Sequence, residues 1–197
     1  MNKCMAKIIA LCLPLILGGC GSGAYDCDPA PREYSVTHYK GQVLGYNSEL
    51  RKGMADISNK PVSANEQIEW KKMAISLKAD AQFYNVQIPA ISLFPMANAC
   101  SPSLGNARQT LTKISITSAN DFNNQYPAGT ELAELFTALD FAFVSLTDMT
   151  GVGLPAPLAL RIFLREAPRE GVHNFSVTLN LSDAREFQFV TGNLYLK

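Results

Sequence analysis

Apolar and polar residues alternate without a break in Asn174-Phe175-Ser176-Val177-Thr178-Leu179-Asn180-Leu181-Ser182. A period of two is typical of a β-strand that buries one face and exposes the other. A hairpin turn is expected at residues 183–184, and residues 185–190 return with two phenylalanines on one face. Residues 194–196 follow a Gly-Asn pair and predict a short last strand. The C-terminal end of the chain therefore predicts an antiparallel hairpin.

The same alternation predicts strands further upstream, at residues 73–84, 113–118 and 158–164, and residues 141–145 are also predicted to form a strand. Residues 34–46 are rich in Tyr, Val and Thr, which favour strands. They predict the first strand or hairpin, with Gly41 and Gly45 as breaks. Residues 150–157 contain two glycines and two prolines and predict a loop rather than a phosphate cradle, because no Lys or helix start follows.

One segment has a different period. Its apolar residues recur at i, i+3, i+4 and i+7, the spacing of one face of a helix, and they are Leu132, Leu135, Phe136 and Leu139. Thr130 precedes them as a candidate N-cap. We therefore expect a short helix over residues 131–139.

Many strands and one short helix predict a mainly β fold, a two-sheet antiparallel sandwich with the helix in a connection. An immunoglobulin-like arrangement is expected, although the cysteine spacing does not match the bridge of true immunoglobulin domains. We expect this one domain to cover residues 33–197, which leaves room for a single core.

The N-terminus carries the pattern of an export signal. Lys3 and Lys7 precede an apolar run at residues 8–17, which ends in Leu17-Gly18-Gly19-Cys20. The run is about ten residues, against about 20 needed to span a bilayer. The end of the run resembles the bacterial lipobox, which predicts a signal peptide at residues 1–19 and lipidation of Cys20. A plain secretory signal and a buried first strand are the alternatives.

Residues 20–32 begin with a Gly/Ser-rich stretch and predict a tether between the lipid and the folded domain. The expected location is the bacterial cell envelope. Gly21 gives no retention signal for the inner membrane, which favours the outer one. The acyl chains on Cys20 are then the membrane attachment.

The charge of the chain is balanced, with 17 basic and 17 acidic residues. Loss of Lys3 and Lys7 with the signal would leave a slight acidic excess. Such a balance does not attract nucleic acid, so nucleic-acid binding is not expected.

Two cysteines, Cys27 and Cys100, remain after the signal and the lipidated residue are set aside. Thiols outside the cytosol are oxidised, which favours a disulfide between them. A metal pair or two free thiols are the alternatives, although two cysteines without nearby histidines make a poor metal site.

Motifs for catalysis are missing from the sequence: it has no Gly-x-Ser-x-Gly elbow, His-Glu-x-x-His, P-loop or Cys-x-x-Cys. Only His38 and His173 could serve as imidazole bases, and both are expected at surface or edge positions. Residues 120–124 gather Asn and Asp oxygens, which indicates turn capping more than calcium binding. We expect no metal or cofactor.

Aromatic residues are concentrated in the first half of the chain, where they could bind a glycan or a protein. Core packing is the expected role of most of them, and the set is Tyr25, Tyr34, Tyr39, Tyr46, Trp70 and Tyr84. These features favour a non-enzymatic binding module with a protein or glycan ligand. An envelope hydrolase using dispersed acids and a histidine, and a structural subunit of a surface assembly, are the alternatives.

Several stretches carry a resemblance to a family. They are Ala97–Pro102, Ile116–Asn123, Tyr126–Thr130 and Leu135-Phe136. With them the chain resembles small bacterial lipoproteins grouped as a domain of unknown function. The resemblance implies a lipid-anchored envelope domain with paired cysteines, and Cys27 and Cys100 stand where such a pair would. It implies no activity and no catalytic residues.

Overall fold

A computed structural model describes residues 33–48, 59–84, 105–138, 144–150 and 153–197. In these segments the chain forms one α-helix, α1 (Leu146–Thr150), and 13 strands of two to 14 residues. The strands are β1 (Glu33–Tyr46), β2 (Asn59–Pro61), β3 (Gln67–Ile68), β4 (Met73–Tyr84), β5 (Asn106–Ala107), β6 (Leu111–Ser118), β7 (Phe136–Ala138), β8 (Val144–Ser145), β9 (Ala159–Leu164), β10 (Gly171–His173), β11 (Phe175–Leu181), β12 (Glu186–Val190) and β13 (Leu194–Leu196).

The larger layer is a seven-stranded sheet with the order β2-β1-β4-β9-β7-β8, and β5 pairs with β1. The antiparallel pair β1 and β4 forms its centre and runs from Glu33 opposite Tyr84 to Gly45 opposite Met73. The register shifts once, between Val36 and His38, where a bulge places an extra residue in β1.

Neither Gly41 nor Gly45 breaks the first strand, so the prediction of breaks at these residues is wrong. Both residues are paired with β4. Gly41 has a packing role instead, because a Cβ atom there would overlap the ring of Phe189. Glycine in a strand often marks such a close approach rather than an end.

The second layer is built from two three-stranded sheets, β12-β11-β6 and β10-β13-β3. Only Asn174 separates β10 from β11, and residues 191–193 separate β12 from β13. A hydrogen bond of 2.9 Å from the Thr191 N–H to the Phe175 carbonyl lies at this crossing. The four strands therefore form one bent hairpin, as residues 174–196 predict.

The core lies between the layers. The four apolar residues quoted from β11 are 0–3% exposed, and Val177 lies opposite Ile116 of β6 and Phe189 of β12. The prediction of a mainly β fold with packed antiparallel sheets is confirmed, with two short parallel pairs added, β1–β5 and β13–β3. The immunoglobulin-like arrangement stays a prediction.

The predicted helix at residues 131–139 is wrong. The segment contains a 3-10 turn at Ala133–Leu135 and then β7, and Leu139 lies outside the described residues. Leu132, Leu135 and Phe136 are buried as expected. However, β7 lies between β8 and β9 inside the sheet, where both faces of a strand can be covered.

The helix of the connection is α1, which follows β8 directly. Of the strand predicted at residues 141–145, Val144 and Ser145 form β8, and residues 141–143 lie outside the described part. None of the helical segments that the structure describes has the length and apolarity of a membrane-spanning helix. The predicted signal (1–19), Cys20, the tether (20–32), Cys27 and Cys100 lie outside the described residues.

Candidate functional site

A cleft of about 470 Å³ opens between the loop that follows β6 and the loop that leads into β10. We call it the Arg169 cleft. Its lining consists of Ala119, Asn120, Asp121, Ala128 and the five residues Arg169, Glu170, Gly171, Val172 and His173. The volume lies within the range of small-molecule sites, about 300–1,000 Å³.

Hydrogen bonds join the two walls of the cleft. The Asn120 side-chain amide donates to the Val172 carbonyl at 2.7 Å. The Arg169 N–H donates to the Phe122 carbonyl at 2.6 Å, and the Ala119 N–H to the Asn174 carbonyl at 2.9 Å. Phe122 itself is fully buried. The loops are therefore fixed to each other and to the core.

The polar residues at 120–124 cap turns. Asp121 accepts the Ala128 N–H through Oδ1 at 2.9 Å. Asn123 accepts the N–H groups of Gln125 and Tyr126 at 2.8 and 3.1 Å. The Asn123 bonds are those expected of an Asx turn, and the Asp121 bond closes the longer loop to Ala128. No group of three His, Cys, Asp or Glu side chains that could hold a metal ion occurs among the residues that the structure describes.

Three charged residues, Asp121, Arg169 and Glu170, line the cleft, and their side chains are not ion-paired with one another. No nitrogen of Arg169 comes within 4.0 Å of a carboxylate oxygen of Asp121 or Glu170. Glu170 instead accepts a hydrogen bond from the Tyr195 hydroxyl at 3.3 Å. The cleft is thus lined by one basic and two acidic residues, whose side chains are exposed and not ion-paired with one another.

His173 forms the inner wall of the cleft. The residue is 1% exposed, and its ring stacks on Phe175 and meets the edge of Phe122. Nε2 lies 2.7 Å from the Arg169 carbonyl and must donate to it, while the buried Nδ1 has no partner among the residues that the structure describes. Burial lowers the pKa of the imidazole, which favours the neutral ring. Of the expected surface or edge position, the edge is confirmed, because β10 is an edge strand, but the side chain is buried rather than at the surface.

His38 lies elsewhere, on β1, and does not line the cleft. Its side chain is exposed, and its ring is 6.0 Å from that of Phe187. The two candidate imidazoles are thus on different layers, and the structure does not bring them together.

Most of the described aromatic residues pack in the core, as expected. Tyr34 and Tyr39 are each 5% exposed, and their hydroxyls donate to the carbonyls of Ala156 and Pro157 at 2.7 and 2.8 Å. Burial raises the pKa of both phenols. Tyr46 is also buried, and Trp70 is half-buried against the core. Tyr25 lies outside the described residues.

A second groove, of about 340 Å³, lies beside the end of β1 and includes Tyr46. Four of its charged side chains form pairs with one another, since Lys60 bonds Glu66 at 2.8 Å and Lys72 bonds Glu69 at 2.9 Å, and Lys197 lines it as well. Paired charges at a surface leave less for a ligand to satisfy. The Arg169 cleft is therefore the better candidate site.

Sequence reasoning missed Arg169 and Glu170. Pro168 marked the end of a strand, and the charged pair after it matched no motif. The partners of these residues across the cleft, Asn120 and Asp121, lie about 50 positions earlier in the chain. A local sequence pattern cannot show that residues about 50 positions apart line the same cleft.

No family model, curated protein or solved structure matches the chain. The class that the fold and the cleft define is a mainly β domain with a preformed polar cleft between two loops. The resemblance to bacterial lipoproteins stays a prediction.

Proposed function

We propose that this chain is a lipid-anchored binding module of the bacterial cell envelope. Cys20 carries the acyl chains, residues 20–32 form the tether, and the Arg169 cleft receives a ligand. The observation that carries the proposal is the cleft, whose loops are fixed by hydrogen bonds and whose charged side chains are not ion-paired with one another. Preformed sites with a few convergent polar groups are typical of ligand binding.

A binding role fits the cleft better than catalysis. A histidine that acts as general base needs a ring nitrogen within reach of a substrate proton. His173 uses Nε2 for the Arg169 carbonyl, and its Nδ1 is enclosed by protein. Neither nitrogen is offered to the cleft. We therefore propose that the module is not an enzyme and uses no cofactor.

The proposals of a lipid anchor and of a disulfide bond rest on the sequence. Cys20 follows Leu17-Gly18-Gly19, and Cys27 and Cys100 are the cysteines left for a disulfide. Export from the cytoplasm accounts for both the lipidation of Cys20 and the disulfide, because thiols outside the cytosol are oxidised. The near-neutral charge supports a protein or glycan ligand over nucleic acid. We place the protein at the outer membrane rather than the inner one.

Photo-crosslinking of the anchored protein in cells tests the binding role. A crosslinking amino acid at Ala128 lies in the cleft wall. The same amino acid at Lys113, an exposed residue of β6 outside the cleft, is the control. We expect a discrete adduct from position 128 and none from 113. Equal labelling at both positions, or none at 128, would contradict the proposal.

A hydrolase assay with the same preparation tests the non-enzymatic role. We expect that neither His38→Ala nor His173→Ala removes a hydrolase activity of the protein. Activity lost in either variant, with the fold intact by circular dichroism, would establish the enzyme alternative. Migration of the native protein only in a heavy complex would favour a structural subunit.

A further inference from the structure

We infer that the Arg169 cleft takes a small zwitterionic molecule, a free amino acid or the end of a short peptide. The inference rests on the proposed function, because it names the ligand class of the same site. Arg169 would bind the ligand's carboxylate, and Asp121 and Glu170 would bind its ammonium group.

The separation of the charges is the first argument. Opposite charges that share a polar cleft lower their energy by pairing, but Arg169 has no ion pair with Asp121 or Glu170 within 4.0 Å. A ligand with both charges can satisfy all three side chains. A simple anion would meet two carboxylates, and a simple cation would meet the guanidinium.

The unused hydrogen-bonding capacity is the second argument. Asp121 uses Oδ1 for the Ala128 N–H, and Glu170 uses Oε1 for the Tyr195 hydroxyl. The second oxygen of each carboxylate accepts no hydrogen bond from the described part of the chain and is available to a ligand. The guanidinium of Arg169 presents a planar fork that matches a carboxylate in two parallel bonds.

The inner wall supports the same ligand class. The low pKa of the buried His173 keeps the ring neutral at pH 7, so it adds no second cation beside Arg169. Val172 is 47% exposed at the rim and offers an apolar surface for a side chain of the ligand. The hydrogen bond from Asn120 to the Val172 carbonyl fixes this rim before the ligand arrives.

Saturation-transfer NMR of the full chain in detergent tests the inference with three probes of similar size. The probes are L-alanine, propionate and ethylamine, and alanyl-alanine extends the first. We expect L-alanine or the dipeptide to bind at least about tenfold more tightly than propionate or ethylamine, since each tenfold step needs only about 1.4 kcal/mol.

Arg169→Gln should reduce binding of the zwitterion at least about tenfold, because a neutral amide cannot replace the guanidinium. Arg169→Lys keeps the charge but not the fork and should lie between the two. Glu170→Gln should weaken binding while it keeps the bond from Tyr195. Lys113→Gln removes an exposed charge outside the cleft and should change nothing.

Equal binding of propionate and L-alanine, no saturable binding of any probe, or binding unchanged in Arg169→Gln would overturn the inference. Each variant alters an exposed side chain, and circular dichroism checks its fold. An adduct at position 128 without zwitterion binding would leave the proposed binding role in place and reject only this ligand class.

Discussion

At the scale of single residues, the Phe189 ring packs directly on Gly41. A Cβ atom at position 41 would overlap this ring, whereas one at Gly45 would meet Ile68 and Val62 methyl groups at 3.1 Å. We expect Gly41→Ala to lower the free energy of unfolding by about 1–3 kcal/mol through overpacking. Gly45→Ala, in the same strand, should cost less because those methyl groups can shift. Urea denaturation measures both.

A second substitution checks the cause. In Gly41→Ala combined with Phe189→Leu, the smaller side chain removes the overlap, so the two losses should not add. Strict additivity, or a Gly41→Ala protein as stable as the parent, would show that the ring does not rest on Gly41.

Asp183 belongs to a polar network at the bulge of β1. Its Oδ2 accepts from the Arg185 guanidinium at 2.7 Å and from the Gln109 amide at 3.1 Å, and Gln109 also accepts the Val36 N–H at 3.0 Å. The bond with Arg185 is the main reason why the pKa of Asp183 falls to about 2. The network ties the β11–β12 turn to β1.

Stability should therefore depend on pH on the acid side. A carboxyl with a depressed pKa stabilises the fold above its unfolded pKa of about 3.9, and this contribution is lost as the pH falls toward about 2. The side chain is 35% exposed, so solvent limits the effect to about 0.5–1 kcal/mol. Asp183→Asn should remove this part of the pH dependence between about pH 4 and 2. An unchanged profile in the variant would contradict the assignment.

At the scale of elements, Glu131 decides the conformation of the segment that leads into β7. Its Oε1 accepts the N–H groups of Ile116 and Ala133 at 2.8 and 3.1 Å, and its Oε2 accepts from the Ser115 hydroxyl. The Leu132 N–H donates to the Ile116 carbonyl at 2.7 Å. These bonds fasten the segment to the edge of β6, which excludes the predicted helix.

Removal of this carboxylate should loosen the edge of β6. Glu131→Ala leaves the Ile116 and Ala133 N–H groups without their acceptor and should cost about 1–3 kcal/mol. Glu131→Gln keeps one oxygen acceptor and should cost less. Hydrogen exchange at Ile116 measures the local effect. Equal protection in the parent and in Glu131→Ala would count against this role of the carboxylate.

The strands were predictable because alternation is local, and each long strand buries one face against a common core. The segment at 131–139 was not, because apolar residues at i, i+3 and i+4 also suit a strand covered on both faces. The bonds that decide between them reach back about 15 residues, to Ile116. The cleft escaped prediction for the same reason, since Arg169 faces residues about 50 positions away.

At the scale of the whole molecule, the bent hairpin of β10–β11 and β12–β13 joins the two small sheets of the second layer into one unit. Its first half pairs with β6, and its second half pairs with β3. The Arg169 cleft lies where β10 begins, next to the bend at Asn174. The core that positions the cleft is thus the same core that joins the layers.

A bridge between Cys27 and Cys100 should add to the stability of this body. A closed loop of 73 positions corresponds to about 4 kcal/mol in the chain-entropy model. We expect peptide mapping without reductant to recover the two cysteines in one linked peptide, and reductant to lower the unfolding midpoint. Alkylation of both thiols before any reduction would show that they are free.

The central claim is that the chain is exported from the cytoplasm and anchored to a membrane by acyl chains on Cys20. The intact mass of the protein purified from the membrane fraction tests it most directly. We predict a chain that starts at Cys20 and is heavier than residues 20–197 by the mass of its acyl groups, and a Cys20→Ser protein that carries no lipid. A chain that retains residues 1–19, or a mature chain with no added lipid, would contradict the account.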